Sequence, residues 1–366
     1  MSAIRNVGVI GAGLAGLAVA IAAAKAGVDV DVFERQTEQP APAAHIDVVP
    51  NLLRDLVALG VGDVLVRRGF PYRDRAVLDG DGRRQFDLAT PRLAGERYPA
   101  ALGMVYGDLL GILREQALDR GVRIHDGATV ADAEDGGAIR LDNGQRHPVD
   151  LAVIASGEVL PRVAGTTLEP VEVESLPQQW CYALLPRPIS IDHAAWVIGV
   201  GRSKLMLVPV NPQTVGVALL QPEGSATSGD EVRASLASQG ELFGWLASHW
   251  KDGTPTTVRP VHTGVLAGEW HQRGVLRVGA SAHVLPPHFG QSAAQAVEDA
   301  VVLGALLGTG ADRTALLDAF MARRGDRARQ VHALTTQAAR WDLRPEASTD
   351  LRTLAARLAP ALARPA

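Results

Sequence analysis

The sequence predicts an α/β fold in which a parallel-sheet domain is interleaved with a smaller, mainly antiparallel sheet domain and followed by C-terminal helices. Three observations predict it: a strand, helix and strand open the chain, short strands dominate residues 171–263, and the last fifty-odd residues read as helices rich in Ala and Arg. A chain of 366 residues has the length of about two domains.

The opening unit consists of a buried strand at residues 6–10, a helix at 13–26 that ends at Gly27, and a second strand at 28–33. The run from residue 7 to residue 24 is uncharged and approaches the length of a membrane span. Glycines interrupt it and a second apolar segment ending in an acid follows, so we expect no membrane span and no signal peptide.

The remaining elements follow from apolar periodicity and turn residues. A helix is predicted at 51–59, short β segments at 70–98, a helix at 108–120, a strand at 122–125, a hairpin at 142–144 and a strand at 150–155. Further strands are predicted at 180–185, 195–200, 204–210, 214–220 and 276–279, and a long helix at 293–307. No linker is evident, so we expect a discontinuous first domain (1–70, 99–165 and 269–325), a sheet domain (71–98 and 166–268) and C-terminal helices (326–366).

Charge and cysteine content narrow the function. The 36 basic and 40 acidic residues are spread along the chain, which disfavours nucleic-acid and membrane partners and favours a small molecule. The single cysteine, Cys181, excludes an internal disulfide and a cysteine-based zinc cluster, and we predict that it is a buried core residue. A reducing, cytoplasmic location fits, and no metal site is predicted.

The first motif reads Gly11-Ala12-Gly13-Leu14-Ala15-Gly16 between the first strand and helix, with Glu34 closing the next strand. This is the fingerprint of a Rossmann-like dinucleotide-binding domain. Gly11 permits the tight turn, Gly13 lets a pyrophosphate approach the backbone, and Gly16 lets the helix lie against the strand. Glu34 would accept hydrogen bonds from ribose hydroxyls. The fingerprint alone does not choose between FAD and NAD.

Two later motifs do choose. Residues 150–157 read DLAVIASG and precede Pro161-Arg162-Val163, while GVLRVGASAH at 274–283 is followed by PPHFGQSAA at 286–294 and by EDA at 298–300. In this order the three motifs resemble the single-component FAD-dependent aromatic monooxygenases, the para-hydroxybenzoate hydroxylase-like (group A) flavoproteins. The resemblance covers residues 7–329.

The resemblance implies an FAD/NAD(P)-binding Rossmann-like domain and an oxidoreductase that uses NADH or NADPH as a transient reductant. O₂ then adds to the flavin as a C4a-hydroperoxide, which hydroxylates a small aromatic or heteroaromatic substrate. A monomer or a homodimer is expected. The predicted cofactor-binding residues are Gly11, Gly13, Leu14, Ala15, Gly16, Glu34, Arg35, Tyr106, Val130, Gly157, Gly279, Ala280, Pro287, Gly290, Gln291, Ser292 and Ala293. Gly290 and Gln291 precede an apolar helix, whose free first-turn amides suit the pyrimidine end of a reduced flavin.

Three positions depart from the family pattern. Ala280 replaces an aspartate that contacts the ribityl chain, Ser156 replaces another aspartate, and Tyr106 replaces an arginine. A charge-assisted hydrogen bond contributes about 1.5–3 kcal/mol, so the loss at 280 should weaken FAD binding about 10- to 150-fold. An alternative is therefore a degenerate flavin-binding relative without hydroxylase activity. Another is a different FAD-dependent oxidoreductase, an epoxidase or a Baeyer–Villiger enzyme.

The predicted catalytic residues are His288, Asp47, His45, Tyr182 and Pro287. His288 is favoured because its P-H-x-x-Q loop resembles that of pyridine-ring hydroxylases. We expect at most one of His45 and Asp47 to face the substrate, and we expect His283 to be structural. The alternating Leu205, Leu207 and Pro209, with Val215, Val217 and Leu219, form an apolar face that is either the roof of a pocket or ordinary core. Arg187 and Arg202 are candidates to pair with a substrate carboxylate.

Overall fold

The computed structural model describes residues 4–37, 44–88, 90–133, 138–157, 162–163, 171–198, 204–226, 228–237, 239–251, 253–343 and 350–366. Its strands are β1 Asn6–Ile10, β2 Asp29–Glu34, β3 His45–Val48, β4 Phe70–Tyr72, β5 Arg75–Asp79, β6 Arg84–Leu88, β7 Ala101–Val105, β8 Arg123–Asp126, β9 Val130–Ala133, β10 Ile139–Leu141, β11 Arg146–His147, β12 Leu151–Ile154, β13 Arg162–Val163, β14 Glu174–Pro186, β15 Ala194–Ile198, β16 Lys204–Pro209, β17 Thr214–Pro222, β18 Thr257–Val265, β19 His271–Gln272, β20 Val275–Arg277 and β21 His283–Val284.

The α-helices are α1 Leu14–Lys25, α2 Pro50–Ala58, α3 Gly62–Arg68, α4 Tyr106–Leu118, α5 Gly229–Leu236, α6 Glu241–His249, α7 Gln291–Leu307, α8 Arg313–Leu343 and α9 Leu351–Ala363. Two short 3₁₀ helices, Gly279–Ser281 and His288–Gly290, precede α7. None of the helices in the described part of the chain is both long and apolar enough to cross a membrane.

The parallel sheet has the order β19-β20-β12-β1-β2-β8, and only the β19–β20 pair within it is antiparallel. One face packs against α1, α4 and α7 in the largest apolar core of the molecule. A small sheet of order β11-β10-β9-β13 supplies part of a second core, in which Ile10 and Phe33 are buried. The edge at which β1 and β2 end therefore lies between packed layers, which fixes the loops that follow these strands.

The second large sheet has eight strands in the order β21-β18-β14-β17-β16-β15-β5-β6. One face packs against α5 and α6, where Leu205, Leu207, Val215, Val217 and Leu219 are fully buried. These residues are ordinary core, and the pocket-roof alternative is wrong, because the period of two along a strand sends the intervening residues to the opposite face.

A third sheet, of order β3-β7-β4, joins the two large ones. Its strand β3 contacts β14, β16 and β17, and α2 after it packs against α7. The long helix α8 packs against α7 at one end of the molecule and against β14 and β18 of the eight-stranded sheet. The parallel sheet and the eight-stranded sheet are thus held together by β3 on one side and by α8 on the other.

The sequence predictions agree with most elements to within a few residues. The predicted hairpin at 142–144 is the turn between β10 and β11. Two predictions need correction: the region 171–263 contains the helices α5 and α6 as well as strands, and the strand predicted to end at 279 stops at Arg277, two residues before a 3₁₀ helix begins at Gly279. Cys181 is fully buried in the core beneath the eight-stranded sheet, as predicted, and its burial raises the pKa of the thiol to about 11.

Candidate functional site

A cavity of about 890 Å³ lies between the carboxyl edge of the parallel sheet and the eight-stranded sheet. Ligands of open α/β sheets bind at this edge. The wall contains the following predicted site residues: Gly11, Gly13, Leu14, Ala15, Glu34, Arg35, His45, Asp47, Tyr106, Val130, Gly157, Tyr182, Ala280, Pro287, Gly290, Ser292 and Ala293. Gly16, Gly279, Gln291 and His288 are not part of the wall.

The glycine-rich turn forms one end of the cavity. Gly11 has φ +103°, and a Cβ at Gly16 would lie 1.9 Å from the carbonyl oxygen of Gly11, so the turn and the helix contact both require glycine. A Cβ at Gly13 would meet no atom within 4 Å. No side chain caps the start of α1, so its first-turn amides are open to an anion in the cavity.

Glu34 closes this end. Its Oε2 accepts a hydrogen bond of 2.7 Å from the amide of Ala12 and its Oε1 one of 3.0 Å from the amide of Gln36. A carboxylate has about four lone-pair sites, so two remain for ribose hydroxyls. The backbone amides thus hold the carboxylate in place, and the carboxylate can still accept further hydrogen bonds.

A second helix start, that of α7, meets the cavity at its middle. Its N-cap, Gly290, has a left-handed conformation and supplies no capping side chain, so the amides of the first turn are free as predicted. Gln291 is almost fully buried, and its amide side chain hydrogen-bonds Asn51. The side chain of Gln291 therefore supports the loop from behind.

The far end of the cavity is formed by the eight-stranded sheet. Trp180 and Tyr182 of β14, Met206 of β16, Ala218 of β17, and Thr257 and Arg259 of β18 line it. The rings of Trp180 and Tyr182 are stacked, with centroids 6.0 Å apart and an interplanar angle of 25°. This flat aromatic wall suits a planar ligand.

His45 and Asp47 both line the cavity, and the expectation that at most one would do so is wrong. Residues two apart on a strand point to the same face, and both lie on β3. The ring of His45 lies over Gly216, and burial lowers its pKa to about 3, so the imidazole is neutral. Asp47 accepts hydrogen bonds from the hydroxyl of Tyr72 and from Arg75, the latter at 2.8 Å.

His288 lies behind Pro287, outside the cavity wall. Its Nε2 is 3.0 Å from Oδ2 of Asp342 on α8, and the other oxygen of Asp342 accepts a hydrogen bond from Lys204. Burial alone raises the pKa of Asp342, but these two partners outweigh it and lower the pKa. The rings of His288 and Trp180 are arranged edge to face, with centroids 6.4 Å apart. The Nδ1 of His288 is buried without a hydrogen-bond partner among the described residues.

The three departures from the family pattern, Ala280, Ser156 and Tyr106, all line the cavity. The carboxylates in the described wall are those of Glu34 and Asp47, so none replaces the aspartate at 280. His283 hydrogen-bonds Asp299 at 2.8 Å and is 2% exposed, which agrees with its expected structural role.

Sequence reasoning missed Trp180, Arg259 and Asp342, because nothing in their local spacing marks them. Arg187, a candidate to bind a substrate carboxylate, is not part of the cavity wall. It donates hydrogen bonds to the carbonyls of Pro212 and Ile191 and lies over the ring of Phe70. Arg202 and Pro161 lie outside the described residues.

Comparison with known proteins places this geometry among flavoenzymes. Residues 9–55 match the model of an NAD(P)-binding Rossmann-like domain. An FAD-dependent urate hydroxylase of Klebsiella pneumoniae is 29% identical over 345 residues, with 88% of this chain and 86% of that protein covered. A 2-heptyl-3-hydroxy-4(1H)-quinolone synthase of Pseudomonas aeruginosa is 28% identical over 318 residues, covering 81% and 79%. The crystal structure of a 2-methyl-3-hydroxypyridine-5-carboxylic acid oxygenase superposes with a TM-score of 0.82 at 22% identity, covering 98% and 96%.

The chain is thus similar over most of its length to FAD-dependent hydroxylases, shares the fold of the pyridine-carboxylic acid oxygenase, and has a Rossmann-like nucleotide-binding segment at residues 9–55. These findings confirm the family resemblance and the fold class predicted from the sequence, and they support FAD as the cofactor with a nicotinamide reductant. The site fits that cofactor. One continuous cavity contains two uncapped helix starts, the open space at Gly13 and the carboxylate of Glu34, which has spare lone pairs.

Proposed function

We propose that the protein is an FAD-dependent monooxygenase that uses NAD(P)H and O₂ to hydroxylate a small aromatic or heteroaromatic substrate. One observation carries the proposal: a single cavity runs from the dinucleotide fingerprint, past the start of α7, to the aromatic wall of Trp180 and Tyr182. A nucleotide cofactor and a flat substrate fit side by side in it.

When bound, FAD supplies the electron transfer and the oxygen activation. The amides at the start of α1 would hold the pyrophosphate and Glu34 would hold a ribose, while the start of α7 would stabilise negative charge on the flavin ring. Pro287 would stiffen the loop that precedes α7. Trp180 and Tyr182 position the substrate and exclude water from it.

His45, which lies in the cavity wall, is the histidine that contacts the substrate in this proposal, whereas His288 lies outside the wall and supports the loop that carries Pro287. Asp342 fixes the orientation of His288 through Nε2, and the Nδ1 of that ring is buried without a described partner. His45 is neutral and acts as a hydrogen-bond partner in the cavity wall. Asp47 is already bound by Tyr72 and Arg75, and it keeps β3 in place.

The first test is an absorbance spectrum of the purified protein, before and after addition of FAD. We expect flavin bands that bleach with NADH or NADPH, faster in the presence of a substrate, and a product heavier by one oxygen atom that derives from labelled O₂. A protein that stays colourless in excess FAD overturns the proposal.

Ala280 favours one second candidate, a flavin-binding relative without hydroxylase activity, since a contact to the cofactor is missing there. That candidate predicts flavin bands that no aromatic compound causes to bleach faster. The domain boundaries, the cytoplasmic location and a monomeric or homodimeric state stay predictions; size-exclusion chromatography with light scattering tests the last.

A further inference from the structure

Arg259 stands on the cavity face of the eight-stranded sheet. It lies on β18 directly opposite Trp180 of β14, and residues paired in this way project from the same face. Both line the cavity, and Arg259 is exposed within it. The guanidinium forms no ion pair and no hydrogen bond with the described residues.

The positive charge of Arg259 is not balanced by its surroundings. Asp47, the carboxylate nearest this end in the chain's described cavity wall, is paired with Arg75 at 2.8 Å. His45 carries no charge at neutral pH, because burial lowers its pKa to about 3. Glu34 and Arg35 belong to the fingerprint end.

Two tyrosines show how far this charge acts. Burial raises the pKa of both Tyr106 and Tyr182, and the charge of Arg259 opposes the rise at both hydroxyls. Tyr106 begins α4 and Tyr182 lies on β14, so the charge acts on two different walls of the cavity. The indole N–H of the neighbouring Trp180 is buried and has no described acceptor.

We infer that Arg259 binds an anionic group of the aromatic substrate, a carboxylate or an ionised ring oxygen or nitrogen, so that the substrates are aromatic anions. This inference rests on the proposed function, because it specifies the ligand of the same cavity. A guanidinium recognises planar anions through two parallel hydrogen bonds.

The other anion that could meet Arg259 is the pyrophosphate of FAD. The fingerprint end of the cavity already provides for that group through the start of α1, whereas Arg259 is anchored beside Trp180 and Tyr182. The position of Arg259 therefore favours a substrate anion over the pyrophosphate of FAD, and the experiment below distinguishes these two anions.

The experiment uses FAD-loaded wild-type protein, Arg259→Gln and Arg259→Lys, with Arg329→Gln as a control at a half-buried arginine outside the cavity wall. Matched acids and amides are titrated against the flavin absorbance: benzoate and benzamide, nicotinate and nicotinamide, quinoline-4-carboxylate and its amide. Urate and 3-hydroxypyridine, titrated above and below the pKa of each, cover ring anions. The dissociation constant of FAD is measured for every variant.

For the wild-type protein and Arg329→Gln we expect at least one acid or ring anion to bind about tenfold or more tightly than its neutral partner. Arg259→Gln should abolish that preference, Arg259→Lys should keep part of it, and FAD affinity should stay unchanged. Absence of any preference in the wild-type protein overturns the inference. So does an Arg259→Gln variant that loses FAD affinity and keeps the preference.

If the protein stays colourless in excess FAD, the proposed function fails separately. Equilibrium dialysis of the same labelled acids and amides against the colourless protein then decides the inference by the same ratio.

Discussion

Ala280 is the residue at which this chain differs most consequentially from the enzymes that it resembles. It lies in the cavity wall next to Gly279, whose amide hydrogen-bonds Asp299 at 2.9 Å, so the backbone there is fixed and only the side chain is missing. A carboxylate added at this position would enter a preformed site with little rearrangement.

We expect Ala280→Asp to tighten FAD binding about 10- to 150-fold, because a charge-assisted hydrogen bond contributes about 1.5–3 kcal/mol. Fluorescence titration of FAD against the apoprotein measures the change. Ala280→Asn, similar in size but uncharged, should give a smaller gain. An unchanged affinity in the aspartate variant would show that position 280 does not contact the cofactor.

Some site residues could be predicted because they belong to a motif with fixed spacing along the chain, and others could not. The roles of Gly11, Gly13 and Gly16 follow from a six-residue motif, and Glu34 follows from its distance along the chain. Arg259 and Asp342 reach the site through strand pairing and through a helix far along the sequence. A single sequence contains no local pattern that marks such long-range partners.

At the scale of elements, the turn between β1 and α1 separates two functions of glycine. Gly16 is needed because the helix touches the turn, while Gly13 faces open space in the cavity. A methyl group at position 16 would clash with the protein backbone, whereas a methyl group at position 13 would clash only with a bound ligand.

We therefore expect Gly16→Ala to destabilise the fold and Gly13→Ala to leave the fold intact but weaken FAD binding. The methyl group at 16 would lie 1.9 Å from the carbonyl oxygen of Gly11, so β1 and α1 must move apart. Thermal unfolding without FAD and FAD titration measure the two effects. Equal loss of stability in both variants would contradict this division.

The helices α5 and α6 show why element prediction failed where it did. A capping box is present, in which Ser228 caps the amide of Glu231, and Val232 and Leu236 are spaced one helical turn apart. The sequence analysis predicted only strands for residues 171–263, because strand patterns lie on both sides of these helices. Both helices are short, and their stability comes from packing against the sheet, which sequence periodicity does not report.

At the scale of the whole molecule, a buried ionic cluster joins α2, α7 and α8. Arg324 of α8 is fully buried and hydrogen-bonds Asp299 at 2.7 Å, and it also binds Glu298, which accepts from Arg54 at 3.2 Å. Burial alone raises the pKa of Asp299, but the charge of Arg324 and the hydrogen bond with His283 outweigh it and lower the pKa to about 2.

We expect Arg324→Met to destabilise the protein by about 3–5 kcal/mol, because the buried Asp299 loses its arginine partner, while Glu298 keeps Arg54 and Arg327. Urea denaturation at pH 7 measures it, with Arg329→Gln as a surface control expected within about 0.5 kcal/mol of wild type. A loss below about 1 kcal/mol for Arg324→Met would mean that the cluster contributes little to stability.

The same cluster predicts how stability depends on pH. The pKa of Asp299 is about 2 in the folded protein, below the value of about 3.9 for an unfolded chain, so its contribution is complete above pH 4 and is lost as the pH falls toward 2. Urea midpoints between pH 5 and pH 2.5 should fall less steeply for Asp299→Asn than for wild type. Parallel slopes would assign the acid sensitivity to other groups.

The alternation of side chains along the eight-stranded sheet has a consequence for how this protein can evolve. On β14, β16 and β17 the odd-numbered residues Cys181, Leu205, Val217 and Leu219 hold the fold, and the even-numbered Trp180, Tyr182, Met206 and Ala218 face the ligand. Parity therefore separates the side chains that pack against α5 and α6 from those that face the cavity. Trp180 and Ala218 of the cavity-facing set also belong to a small apolar core, so a library confined to Tyr182 and Met206 samples specificity while leaving the buried residues of both cores unchanged.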